Sequence, residues 1–214
     1  MNIIFIAPPA AGKGTQSELV CDKYKLTHIS TGDLLREVIS KQDSFALELE
    51  KQMKQGKLIS DDLILDLITN KLENLDGFIL DGFPRNVNQA TKLDELLAKI
   101  NKQIDYVIYF KISKEVALDR IVGRISCPDC GRVYNDRIIS NNPKLEGICD
   151  DCNCALQKRS DDNEETFNKR FDTYMLETEP VIDYYKDKNI LYEVDSNLDK
   201  YEVFKKVEEI INHD

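Results

Sequence analysis

Apolar residues fall into two kinds of run along this chain, and the two kinds alternate. Short blocks rich in Ile, Val, Phe and Tyr predict strands at 2–6, 27–29, 78–81, 105–111 and 190–194. Helical patterns lie between them, over 13–24, 31–41, 43–54, 61–73, 87–100, 114–124, 161–187 and 199–212. Strands alternating with helices imply parallel βαβ units, and so an α/β chain built on a doubly wound, five-stranded parallel sheet. Sheets of this kind bind ligands beyond the carboxyl ends of their strands. Asp161 and Glu164 have the spacing of a capping box at the start of the last long helical pattern. Pro180 is expected to bend or break that helix.

Two segments interrupt the alternation. Residues 30–59 read as a helical insertion after the second strand. Residues 125–158 are rich in turns and cysteines and carry no long periodic element, too little chain for an apolar core of their own. The domain expectation is therefore a core of 1–29, 60–124 and 159–214 with two insertions.

Chemistry enters at the end of the first strand. Ile3-Ile4-Phe5-Ile6 runs into Ala7-Pro8-Pro9-Ala10-Ala11-Gly12-Lys13-Gly14-Thr15, and Thr15 opens a helical pattern. A strand, a small-residue loop ending Gly-Lys-Gly-Thr and a helix make a phosphate cradle. Backbone N–H groups and the helix N-terminus point inward, Lys13 adds a mobile positive charge, and Thr15 can serve a magnesium ion. The reading is a P-loop that handles a nucleoside triphosphate. Ala7 and Ala10 stand where such loops favour glycine. If either needs a left-handed backbone, alanine costs about 1–2 kcal/mol there.

Charge narrows the function further. The 214 residues carry a net charge of −10, which argues against a nucleic-acid or membrane-surface role. Met1 leads straight into the first strand with no basic n-region, and no run approaches a bilayer span. A soluble, cytoplasmic protein is expected. Of the 29 lysines and arginines only eight are arginines: Arg36, Arg85, Arg120, Arg124, Arg132, Arg137, Arg159 and Arg170. Most stand beside motifs, and the planar guanidinium fork binds phosphate oxygens bidentately, as lysine cannot. Arg120 and Arg124, four apart, are expected on one helix face.

Cys127-Pro128-Asp129-Cys130 and Cys149-Asp150-Asp151-Cys152 are paired Cys-x2-Cys knuckles, the pattern of a tetrahedral four-cysteine zinc site. Gly131 and Asn153 follow the pairs and tolerate the left-handed turn a knuckle needs. A disulfide framework and bound iron are the alternatives. Four thiolates leave no open position, so the ion would be structural. Cys154 is a spare that could replace Cys152 as fourth ligand, with Cys152 preferred on spacing. Cys21 reads as a packing residue. With only His28 and His213 present, no histidine-based site is expected.

Five segments, in order, then carry a family likeness. They are the loop Gly12 to Thr15, Ile29-Ser30-Thr31-Gly32-Asp33-Leu34-Leu35-Arg36, Asp81-Gly82-Phe83-Pro84-Arg85, Asp119-Arg120-Ile121-Val122-Gly123-Arg124, and Arg159-Ser160-Asp161-Asp162-Asn163-Glu164-Glu165-Thr166. Over essentially its whole length the chain resembles the adenylate kinases of the long-lid bacterial type with a zinc-bearing lid. Ala7 and Ala10 depart from the family loop.

The resemblance implies reversible, magnesium-dependent phosphoryl transfer from ATP to AMP, giving two ADP. It also implies that 30–59 bind AMP, that 125–158 form a lid over ATP, and that the protein is a monomer. By likeness, Ala10, Ala11, Gly12, Lys13, Gly14 and Thr15 hold the ATP phosphates. Arg120, Val133, Tyr134 and Leu198 lie at its adenine. Thr31 and Gln89 contact the AMP base, while Lys57, Leu58, Ile59, Gly82, Phe83 and Pro84 line its pocket. Arg36 and Arg85 hold the AMP phosphate, with Arg159 and Arg170 beside it. Lys13, Arg85, Arg124, Arg159 and Arg170 are the catalytic candidates, and Asp33 and Asp81 organise magnesium through its waters. The rival readings are a kinase of the same fold acting on UMP or CMP, a zinc-ribbon nucleic-acid module that uses nucleotide as a switch, and an inactive nucleotide-binding relative.

Overall fold

The computed structural model of the chain describes residues 1–40, 46–47, 49–51, 59–72, 75–138 and 141–212. β1 (Asn2–Ile6), β2 (Thr27–Ser30), β3 (Phe78–Asp81), β4 (Tyr106–Lys111) and β7 (Leu191–Asp195) form one sheet in the order β2-β3-β1-β4-β7. All its pairings are parallel, with Ile4 of β1 opposite Leu80 on one side and Val107 on the other. β5 (Arg124–Ser126) and β6 (Val133–Asn135) make a separate antiparallel pair inside the 125–158 insertion.

The central strand explains the double winding. Alternate side chains of a strand face opposite sides of its sheet, and all five residues of β1 are buried. Ile4 and Ile6 enter one core, with Leu80, Val107 and the apolar faces of α2 (Thr31–Ile39), α3 (Asp61–Leu72), α4 (Val87–Lys99) and α7 (Pro180–Lys186). Ile3 and Phe5 enter the other, with Ile79, Ile108 and the faces of α1 (Lys13–Tyr24), α5 (Lys114–Val122), α6 (Glu164–Thr173) and α8 (Lys200–Ile211). Each fully buried Ile, Leu or Phe contributes about 1.5–3 kcal/mol, so a strand buried on both faces is strongly fixed. The ligand-facing ends of β1, β2 and β3 are thereby set against a rigid support.

The interruption expected at Pro180 is present, and two other local expectations need correction. Within 161–187, α6 ends at Thr173, a π turn spans Tyr174–Thr178, and Pro180 occupies the first turn of α7, where its missing N–H is not needed. Asn163 is the N-cap of α6, its side chain accepting from the Thr166 N–H at 2.9 Å, so the Asp161 and Glu164 spacing is not a capping box. α5 stops at Val122, and Arg124 opens β5 instead of sharing a helix face with Arg120. No helix among the described residues is long and apolar enough to cross a membrane.

Candidate active site

β1 ends where the loop begins, and the loop turns directly into α1. Gly12 caps α1 with φ 88° and offers no side chain to the first-turn N–H groups, which therefore face the cavity. Ala10 also lies in the left-handed region, at φ 64°, while Ala7 does not. Lys13 reaches back to the Ala7 carbonyl at 3.2 Å. Burial pushes its ammonium pKa down against the opposing pull of Asp81, and Arg85 and Arg124 push it down further.

A cavity of about 650 Å³ opens above this loop, beyond the carboxyl ends of the strands. Ala10, Ala11, Gly12, Gly14 and Thr15 line its base together with Lys13. Thr31, Asp33 and Arg36 enter from the start of α2, and Ile59 stands nearby. Asp81, Gly82, Phe83, Pro84 and Arg85 follow from the end of β3, and Gln89 from α4. Lys57 and Leu58 lie outside the described residues.

This second end of the cavity is tightly wired. Gln89 accepts the Arg85 N–H at 2.6 Å and donates to Asp61 at 2.6 Å. Thr178, delivered by the π turn, donates its hydroxyl to the Arg85 carbonyl at 2.8 Å. Arg85 Nε itself donates to the Gly82 carbonyl at 2.7 Å, and the Thr31 hydroxyl donates to that same oxygen at 3.0 Å. A Cβ on Gly82 would lie 2.9 Å from Thr31 Oγ1, and its φ of 80° is left-handed, so only glycine fits.

The guanidinium groups define the electrostatics. Arg36, Arg85, Arg120, Arg124, Arg159 and Arg170 all line the one cavity. Arg159 is pulled down to about 10, first by burial and then by the charges of Arg124 and Arg36. Burial likewise lowers Arg85, and Arg170 and Arg36 lower it further against Asp81. Carboxylates hold part of this charge: Asp162 grips Arg124 with both oxygens, Asp161 pairs with Arg170, and Asp33 with Arg36. Crowded like charges on a common floor are costly unless a polyanion sits among them. Arg132 and Arg137 are instead absorbed by ion pairs with Asp150, Asp151 and Asp119.

The 125–158 insertion supplies the opposite wall through Cys130, Gly131, Val133 and Tyr134, while Leu198 accepts from Arg120 at 3.4 Å. Ligand atoms of Cys127, Cys130, Cys149 and Cys152 lie within 4.8 Å of one another. Their sulfur separations include 3.2 Å (Cys127–Cys152), 3.5 Å (Cys130–Cys149) and 3.7 Å (Cys130–Cys152). A tetrahedral ion with metal–sulfur bonds of about 2.3 Å needs sulfurs about 3.8 Å apart, so the donor set fits zinc after a small expansion. The same separations are far too long for disulfides.

Gly131 and Asn153 take the left-handed turns at φ 77° and 59°. Backbone N–H groups of Cys130 and Asp129 lower the Cys127 thiol. For Cys149, burial pushes upward, but N–H groups of Cys152 and Asp151 and the Tyr134 hydroxyl outweigh it and bring the thiol to about 6. Cys154 falls outside this four-sulfur set. Cys21 packs against the second core, its thiol pushed up to about 12, mainly by burial.

One cavity residue escaped the sequence reading. His28 faces the cavity from β2, with Nε2 at 3.3 Å from Asp81 Oδ2. Burial lowers the imidazole pKa, but the hydrogen bond and charge of Asp81 outweigh it and raise the pKa overall. Burial would raise Asp81, yet the His28 hydrogen bond and Lys13 hold it below the usual carboxylate range. No local sequence signal marks His28: β2 pairs with β3 so that Ser30 meets Asp81, and His28, two residues before Ser30, lies on the same side of the strand.

Comparison with known proteins agrees with this geometry. Residues 5–190 match the family model described as adenylate kinase. An adenylate kinase of Archaeoglobus fulgidus is 44 % identical over 214 residues, covering 99 % of this chain and 98 % of the relative. One from Thermosipho africanus is 42 % identical over 99 % of both chains, and one from Clostridium tetani 41 % identical over 99 % of this chain and 98 % of the relative.

Proposed function

The chain belongs to the adenylate kinase family, whose reaction moves a phosphoryl group reversibly between ATP and AMP to give two ADP, and we propose that it performs that reaction by gripping two nucleotides end to end in the cavity described above. The observation that carries this reading is the convergence of Lys13 and the guanidinium groups of Arg36, Arg85, Arg124, Arg159 and Arg170 beside an uncapped helix N-terminus. The donor triphosphate lies in the loop from Ala10 to Thr15, with its base toward Arg120, Val133, Tyr134 and Leu198. The acceptor lies between Thr31, Gln89 and the Gly82–Arg85 turn, its phosphate on Arg36 and Arg85.

The acceptor oxygen of a monophosphate is already ionised near neutral pH, so the reaction needs no general base. Catalysis then rests on alignment and on neutralising charge as it spreads over the transferred group. Lys13, Arg85, Arg124, Arg159 and Arg170 supply that neutralisation from several sides. Asp33 and Asp81 would hold magnesium through its waters, and the ion would add charge compensation between the donor phosphates. The 125–158 insertion serves as a lid that excludes water, which would otherwise take the phosphoryl group. Cys127, Cys130, Cys149 and Cys152 would hold zinc, which would supply folding energy to that lid. Residues 30–59 form the acceptor-binding unit, and 1–29, 60–124 and 159–214 form the core. The protein acts as a monomer in the cytoplasm, on ATP, AMP and ADP and not on nucleic acid.

Purified protein mixed with ATP, magnesium and AMP should form ADP at twice the amount of AMP consumed. Faster turnover on UMP or CMP than on AMP would overturn the choice of acceptor.

A further inference from the structure

Five cysteines stand in the insertion, and the four-sulfur set uses four of them. Cys154 is the remainder. Its Sγ groups instead with Cys152 and the carboxylate of Asp129, the three ligand atoms all lying within 4.8 Å of one another. We propose that Asp129, Cys152 and Cys154 form a second metal site on the outer side of the insertion, sharing the Cys152 thiolate with the four-cysteine site and taking a thiophilic divalent cation such as Zn²⁺ or Cd²⁺.

The placement of Cys154 is built into the knuckle. Asn153, at φ 59°, reverses the chain between the two cysteines. The Cys154 carbonyl accepts the Cys149 N–H at 2.9 Å, and the Cys154 N–H donates to the Cys152 sulfur. Both backbone groups of Cys154 are thus tied into the second knuckle, so its thiol is presented by a fixed turn. Asp129 comes from the middle of the first knuckle, held by its own N–H to the Cys127 sulfur. Carboxylate and thiolates are a donor set that zinc and cadmium accept.

Local charge favours a second cation. Four thiolates around one divalent ion leave a double negative charge, and the Asp129 carboxylate beside them would add to it. Arg132 is the cation that meets the neighbouring acids, and it is shared between Asp150 and Asp151. The site differs in kind from its neighbour. Three protein ligands, with Asp129 exposed and Cys154 half-buried, leave a coordination position for water. Its ion would therefore exchange while the four-thiolate ion stays. This inference does not depend on the phosphotransfer reading.

The test is a titration of the purified protein, carrying its resident metal, with Cd²⁺. Resident metal is counted first by elemental analysis, total metal per chain is then counted after equilibrium dialysis against Cd²⁺, and thiolate-to-cadmium absorption is followed in parallel. The intact chain should hold about one ion more than Cys154→Ala, and Asp129→Asn should weaken the extra ion at least about tenfold, as expected for losing one of three ligands. Both variants should keep the resident ion and the melting temperature. Equal metal content in the intact chain and Cys154→Ala would overturn the proposal. Loss of the resident ion in Cys154→Ala would also overturn it, by making Cys154 a ligand of the four-thiolate set.

Discussion

In the parallel sheet, Ile3, Ile4, Phe78, Ile79 and Leu80 are completely buried, and helices cover both faces. In the 125–158 insertion the buried cluster is Cys127, Tyr134 and Cys149, with Ile125, Cys152, Cys154 and Leu156 half-covered around it. Both regions wall the same cavity. One is held by apolar area removed from water; the other gathers four cysteine sulfurs at a common centre. The difference has a functional sense. A phosphate cradle must keep its N–H groups fixed, and a deep core does that without assistance. In the function proposed above, 125–158 is a cover that moves against the cradle, and an internal staple would serve it where a shared core would weld it down.

The contrast can be broken most directly at the staple. Metal removal, or Cys130→Ser, should unfold the insertion while the sheet persists, since metal supplies on the order of 10 kcal/mol of folding energy in small finger units. Hydrogen exchange should then show loss of protection at 125–158 with β1 and β3 still protected; unchanged protection after verified metal removal would refute a metal-held cover. On the cradle side, Arg85→Ala should cut turnover on the order of a thousandfold, the scale of arginines that stabilise phosphoryl transfer. The circular dichroism spectrum should be unaltered, and a loss below about tenfold would dismiss the assigned role. The smallest effect is expected at Ala10, whose left-handed φ of 64° strains an alanine. Ala10→Gly should stabilise the chain by about 1 kcal/mol, the strain relieved less the entropy that glycine costs. A lower melting temperature for that variant would show the loop is not strained there.

Legibility in the sequence followed the same divide. The bounds of β1, β3 and α1 were readable to the residue, because buried strands and a glycine-rich turn leave dense local signals. The sheet order was not readable, since it depends on pairings between distant segments. Arg124 reads as helical because helix propensity says nothing of the short β5–β6 pair that captures it. Asn163 displaced Asp161 as the cap because Asp161 is committed to Arg170 across a turn of chain. The π turn at Tyr174–Thr178 has no local spelling, yet it delivers the Thr178 hydroxyl to Arg85. With His213 as its sole companion, His28 shows no site pattern in the sequence, because its partner is a carboxylate on the neighbouring strand.

The central claim is that one cavity seats donor and acceptor phosphates in line, between the loop at Lys13 and the guanidinium of Arg85. Isothermal titration with two adenosines joined by five phosphates tests it most directly. The account predicts one molecule bound per chain, displacing both ATP and AMP, with affinity reduced in Arg85→Ala. Two molecules per chain, or a ligand that displaces ATP but leaves AMP bound, would contradict it.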